Sequence, residues 1–93
     1  EGVNNPKDPY AFEIFPNPAS GEFSIYAETQ QDKQVELQII NTQNKLAYKA
    51  TIDLNSQQSR KTINPGNLAE GVYYVILSDG RNQSIRKLMI NKH

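Results

Sequence analysis

The sequence predicts an all-β fold, an immunoglobulin-like β-sandwich of about seven antiparallel strands. Three observations point there. Apolar residues recur at every second position in several short runs, most cleanly in Leu46–Ile52 and Val72–Leu77. No window of about eleven residues or more keeps a helical period. Turn residues interrupt the apolar runs at intervals of roughly 8–12 residues, the spacing of a sandwich.

The elements follow in order. Glu1–Pro9 carries Gly, two Asn, two Pro and mixed charge, and reads as a linker or arm ahead of a folded domain over residues 10–93. Tyr10, Phe12 and Ile14 alternate with Ala11 and Glu13, a first strand. Pro16 and Pro18 stop it, because neither donates a ladder hydrogen bond. Asn17 precedes a proline and is pushed toward extended geometry. In a second short strand Phe23 and Ile25 take one face, Ser24 and Tyr26 the other. The segment FPNPASG thus turns strand one into strand two. Its fixed proline φ angles order the corner at low entropic cost.

Polar residues 28–34 read as a loop. Val35, Leu37 and Ile39 alternate in a third strand, and NTQNK at Asn41–Lys45 is turn chemistry in which Asn44 tolerates positive φ. Leu46, Tyr48, Ala50 and Ile52 then share one face of a fourth strand, so strands three and four form a hairpin. Asn55–Ser59 reads as a second polar loop and Arg60–Ile63 as a short fifth strand ending at the breaker Asn64-Pro65-Gly66. Leu68 is expected as an apolar plug beneath a loop. From Gly71 the run VYYVILS is apolar on both faces, the pattern of a central strand covered on both sides. Asp79-Gly80 signals a hairpin turn. The last strand, Gln83–Ile90, places Leu88 and Ile90 inward, with Lys87 and Met89 outward.

Composition excludes several kinds of function. Ninety-three residues suit a single core. There is no Cys, hence no disulfide and no thiolate metal or redox site. Ten basic residues balance ten acidic ones, which gives no electrostatic footprint for nucleic acid or an anionic membrane. No apolar run reaches the ~18–20 residues of a membrane helix. The opening EGVNNPKDPY is too polar for a secretory leader, as expected of a mature chain or a piece of a longer one.

Chemistry is equally sparse. The single His is residue 93, read as a tail or tag remnant, so an imidazole metal cluster or a Ser–His–Asp triad has no materials. The carboxylates, among them Glu13, Glu22, Asp53 and Asp79, fall at turns or polar strand positions and read as solvated faces. No phosphate-binding glycine loop is present. The expectation is a domain with no catalytic residues, no metal and no cofactor. Arg81, Arg86, Lys87 and Lys92 make the C-terminal strand basic, and an outward Lys on an edge strand blocks pairing between sheets. Tyr26, Tyr48 and Tyr74 are candidates for an aromatic platform for sugar, or for packing between strands.

Two motifs carry a family resemblance. FPNPASGEFSI resembles the opening of the type A C-terminal sorting domains of the type IX (Por) secretion system of Bacteroidetes, and GVYYVILSDGRNQSIRKLMINKH resembles their close. VELQIINTQNKLAYKATI fits the family's central hairpin, with Asn44 where Gly is usual; Ile76 stands where a polar residue is more common. The resemblance runs from Phe12 to Lys92. It implies a domain that directs a covalently linked N-terminal cargo across the outer membrane. It further implies recognition by the type IX outer-membrane translocon and passage through the periplasm. A sortase-like protease then cuts near the Glu1–Pro9 arm, leaving the cargo at the cell surface or released. Carried over residue by residue, Pro16, Asn17, Pro18, Gly71, Tyr73, Lys87 and Leu88 hold the motif positions, and Arg86 joins them as half of the basic pair. No nucleic acid and no small-molecule substrate is implied. The competing class is an immunoglobulin-like or fibronectin-like accessory module that binds carbohydrate or protein.

Overall fold

A computed structural model of the chain describes residues 11–29, 32–55 and 57–92. The Glu1–Pro9 arm, Tyr10 and His93 lie outside the described residues. Seven strands form: β1 (Ala11–Phe15), β2 (Phe23–Thr29), β3 (Lys33–Asn41), β4 (Leu46–Leu54), β5 (Gln57–Ile63), β6 (Gly71–Ser78) and β7 (Gln83–Ile90). They make two sheets, ordered β1-β2-β5 and β4-β3-β6-β7, and every ladder is antiparallel. The predicted all-β sandwich is what forms.

The core lies between the sheets because side chains switch faces at each step along a strand. Phe12, Phe23, Ile25 and Ala27 are buried from one sheet. Val35, Leu37 and Ile39 on β3 and Val75 and Leu77 on β6 are buried from the other. Cross-strand partners Leu37↔Leu77 and Ile39↔Val75 stack these residues in register. The β3–β4 turn is built as its residue types dictate. Asn44 has φ 66°, and the Asn41 side-chain oxygen accepts hydrogen bonds from the Gln43 and Lys45 amides at 2.8 and 2.9 Å.

Three expectations about strand bounds and register need correction. The polar stretch 28–34 is mostly strand: Glu28 and Thr29 complete β2, and Lys33 and Gln34 begin β3. Residues Gln57–Ser59 likewise belong to β5, paired with Ala27–Thr29. Backbone ladders extend both strands, so the polar residues there are not a sign of a loop. The third correction concerns Leu46. A register shift between Ile39 and Ile40 leaves Tyr48 opposite Ile39 but Leu46 opposite Ile40. Directly opposed residues share a face, so the extra residue at Ala47 carries Leu46 outward, where it is 54% exposed.

Strand β6 is central in its sheet, as its apolar length predicts. Cover on both sides does not follow, because the sandwich has two layers and only the inner face meets the second one. Val75 is fully buried, whereas Val72, Tyr74 and Ile76 on the outer face are half-buried. Val75→Ala should therefore cost about 1–3 kcal/mol from lost burial and the residual cavity, and Tyr74→Ser less. Urea titration checks this; a larger loss for Tyr74→Ser contradicts the assignment of faces.

Candidate functional site

The corner between β1 and β2 does more than reverse the chain. The Phe15-Pro16 and Asn17-Pro18 peptide bonds are both cis. The segment leaves the three-stranded sheet, runs beside β7 at the edge of the four-stranded sheet, and returns as β2. There the Asn17 carboxamide takes the place of a peptide group. Its Nδ2 donates to the Lys87 carbonyl at 2.8 Å, and its Oδ1 accepts from the Met89 amide at 3.0 Å. Two residues later the main chain takes over: the Ala19 amide donates to the Met89 carbonyl, and the Asn91 amide to the Ala19 carbonyl, both at 2.8 Å. Ala19 and Ile90 form a short parallel bridge.

Residue chemistry explains the motif. Neither flanking proline has an N–H to offer an edge strand. A carboxamide supplies donor and acceptor together, so the residue between the prolines makes both bonds by side chain. Ala19 is 1% exposed; its small side chain lets the backbone close onto β7. The result caps the C-terminal half of a sheet edge that would otherwise present open pairing groups. Asn17 is one of the expected motif positions; its role, and Ala19's, comes from the pairing with β7. The legible signal was a two-way hydrogen-bonding side chain set between two residues that cannot donate.

Gly71 and Tyr73 support the same strand from its other side. Gly71 opens β6 at φ 150°, a region that L side chains rarely adopt, and pairs with Ile90. Tyr73 is opposite Leu88. Its ring is largely buried, and its hydroxyl donates to the Ala69 carbonyl at 2.7 Å, the tie of a tyrosine corner. Leu68 beneath this loop is buried, as expected. The terminus is fastened here too. The Lys92 amide donates to Glu70 Oε2 at 2.9 Å, and the Lys92 ammonium donates to Asn67.

The basic pair divides. Lys87 is exposed and outward, as expected. Arg86, the other half of the basic pair, instead stitches the two sheets together. Its Nε donates to the Phe12 carbonyl at 2.9 Å, its Nη1 to the Ile85 carbonyl at 3.0 Å, and its guanidinium lies 4.7 Å from the centroid of the buried Phe12 ring. A planar, weakly hydrated cation suits an aromatic face better than an ammonium does. Pro16, Asn17, Pro18, Gly71, Tyr73, Lys87 and Leu88 are thus brought together at one end of β7, with Leu88 fully buried beneath. Arg86 belongs to the neighbouring seam with β1.

The other candidates are not assembled. Tyr26 lies on the outer face of the three-stranded sheet, Tyr48 packs against the core from β4, and Tyr74 is on the outer face of the four-stranded sheet. They form no common platform. Among the described residues no group of three or more His, Cys, Asp or Glu is placed to hold a metal ion. A family model described as the secretion system C-terminal sorting domain matches residues 13–91. The comparison with curated proteins gives no match.

Proposed function

This chain belongs to the secretion system C-terminal sorting domain family, and from that premise we propose that the outer-membrane translocon reads the PNPA corner and strand β7 as one folded surface. The domain is the sorting signal of type IX secretion. It takes a cargo joined on its N-terminal side out across the outer membrane, to the cell surface or beyond. In the proposed sequence of events the cargo passes through the periplasm with this domain folded. A sortase-like protease then cuts within Glu1–Pro9 and the cargo is anchored or released. The domain acts by being recognised, without turnover of its own.

One observation supports recognition of a folded surface over a linear tag. Asn17 and Lys87, in motifs separated by 70 residues of chain, are joined by a direct hydrogen bond. A receptor meeting either motif meets the other.

The test is a reporter carrying a secretory leader and fused ahead of Glu1–His93. In type IX-competent cells it should leave the cell, with a cut inside residues 1–9 detected by mass spectrometry. In cells lacking the translocon it should stay in the periplasm. Purified domain should hydrolyse neither glycan nor peptide. Equal release from both strains contradicts the sorting route, and release uncut contradicts the protease step.

A further inference from the structure

The two outer faces of the sandwich differ. On the three-stranded sheet Glu13, Tyr26 and Arg60 lie side by side, with Glu28 and Thr62 nearby. Arg60 stands over the Tyr26 ring at 5.5 Å. Apart from Phe15, 66% exposed at the end of β1, this is the polar outer face expected of an antiparallel sandwich. On the four-stranded sheet the register lines up Leu46, Ile40, Tyr74 and Lys87 in one row across the strands, and Ile76 beside Ile85 in the next. Val72 and Met89 extend the apolar area along β6 and β7. Leu46, Ile85 and Met89 are 54%, 46% and 41% exposed. With strands about 4.8 Å apart, the patch is roughly 14 Å wide and about as long, and the main apolar patch of a small domain is often functional.

We propose that this outer face docks a protein partner that presents an apolar surface with a carboxylate positioned to meet Lys87. The proposal rests on the sorting reading and assigns the face and the chemistry by which the machinery grips the domain. Charge fixes the partner's nature. Lys87 projects from within the apolar patch, and among the described residues it makes no ion pair; the face's other cation, Lys49, sits 3.5 Å from the Glu36 carboxylate. A carboxylate brought in by the partner would be paired in an environment drier than open water, where such a pair sets register and excludes wrong partners. A second copy of the chain fits poorly, since the carboxylates this face presents among the described residues, Glu36 and Asp53, are already engaged by Lys49 and Gln34. An anionic membrane fits poorly as well, since lipid-binding surfaces gather about 4–8 basic residues and this patch holds one. The face also continues into the corner clamp, because the backbone of Lys87 and Met89 holds Asn17.

Full-chain reporter fusions test this in type IX-competent cells. The double variant Ile85→Ser, Met89→Ser and the single variant Lys87→Glu should each lower export at least about tenfold, the scale of losing a central interface contact. Lys87→Arg and Tyr26→Ser should export like wild type, and all should melt within a few degrees of it. Selection for export of Lys87→Glu should return acidic-to-basic changes in one secretion component. Wild-type export by the double variant and Lys87→Glu, or an equal loss in Tyr26→Ser, overturns the docking face while leaving the sorting reading intact. Failure of the wild-type fusion to leave the cell overturns both. Two further outcomes overturn the choice of partner: a dimer of purified chain that the double variant abolishes, or binding to phosphatidylglycerol vesicles that it abolishes.

Discussion

Leu88→Ala is expected to destabilise the domain by about 2–5 kcal/mol, the range for a fully buried leucine. Leu88 has no exposed surface and lies opposite Tyr73. Its neighbours Lys87 and Met89 hold the corner through their backbone groups. The cavity would open where β6, β7 and the corner meet, so the surroundings have little freedom to collapse into it. A domain of this size is stable by roughly 5–14 kcal/mol, and the loss would consume a large share. Leu88→Met, which conserves volume, should cost less than about 1.5 kcal/mol. Urea titration of both variants checks the pair. A loss below about 1 kcal/mol for Leu88→Ala contradicts its place at the centre of the core.

Arg86→Ala is expected to cost about 2–3 kcal/mol, against at most about 0.5 kcal/mol for Lys87→Ala. A hydrogen bond from a charged donor contributes about 1.5–3 kcal/mol, and the cation–π contact with Phe12 adds about 0.5–1. The stem of the side chain also covers apolar surface between β7 and β1. Arg86→Lys should recover only part of the loss, since an ammonium lacks the planar fork. The consequence for export experiments is direct: loss of export in an Arg86 variant reports on folding, while Lys87 is the member of the pair that reports on recognition. Equal stability losses for the two alanine variants in thermal melts contradict this division.

Strand parity was legible in the sequence wherever one face is buried. Val35, Leu37 and Ile39, Tyr73, Val75 and Leu77, and Leu88 and Ile90 all point inward as alternation requires. The turn at Asn44 and the plug at Leu68 were legible for equally local reasons. What alternation does not encode is where a strand carries an extra residue. The irregularity at Ala47 therefore displaces Leu46, and polar strand ends carry the same residue types as loops. Parity also placed Arg86 on the inner side. Nothing local says that its guanidinium would find the Phe12 carbonyl 74 residues away rather than water.

The site divides in the same way. The motif residues were named from sequence, yet the bond between them depends on the strand order of a finished sandwich, in which β1 and β7 end as edges of their sheets on the same side. Asn17 between its prolines is a local feature. Its acceptor and donor partners, Lys87 and Met89, are not.

Export of the fused reporter by Asn17→Ala, compared with a control of matched stability, tests most directly whether the clamped corner is the sorting signal. Asn17→Ala removes two hydrogen bonds at an exposed edge and should cost about 1–2 kcal/mol. Ile63→Val, a core position on β5, the strand at the opposite edge of the three-stranded sheet from β1, should cost about 0.5–1.5 kcal/mol. Both proteins should remain folded by circular dichroism. If the corner on β7 is what the translocon reads, Ile63→Val leaves the cell like wild type and Asn17→Ala stays in the periplasm. Export of Asn17→Ala at the level of Ile63→Val contradicts it.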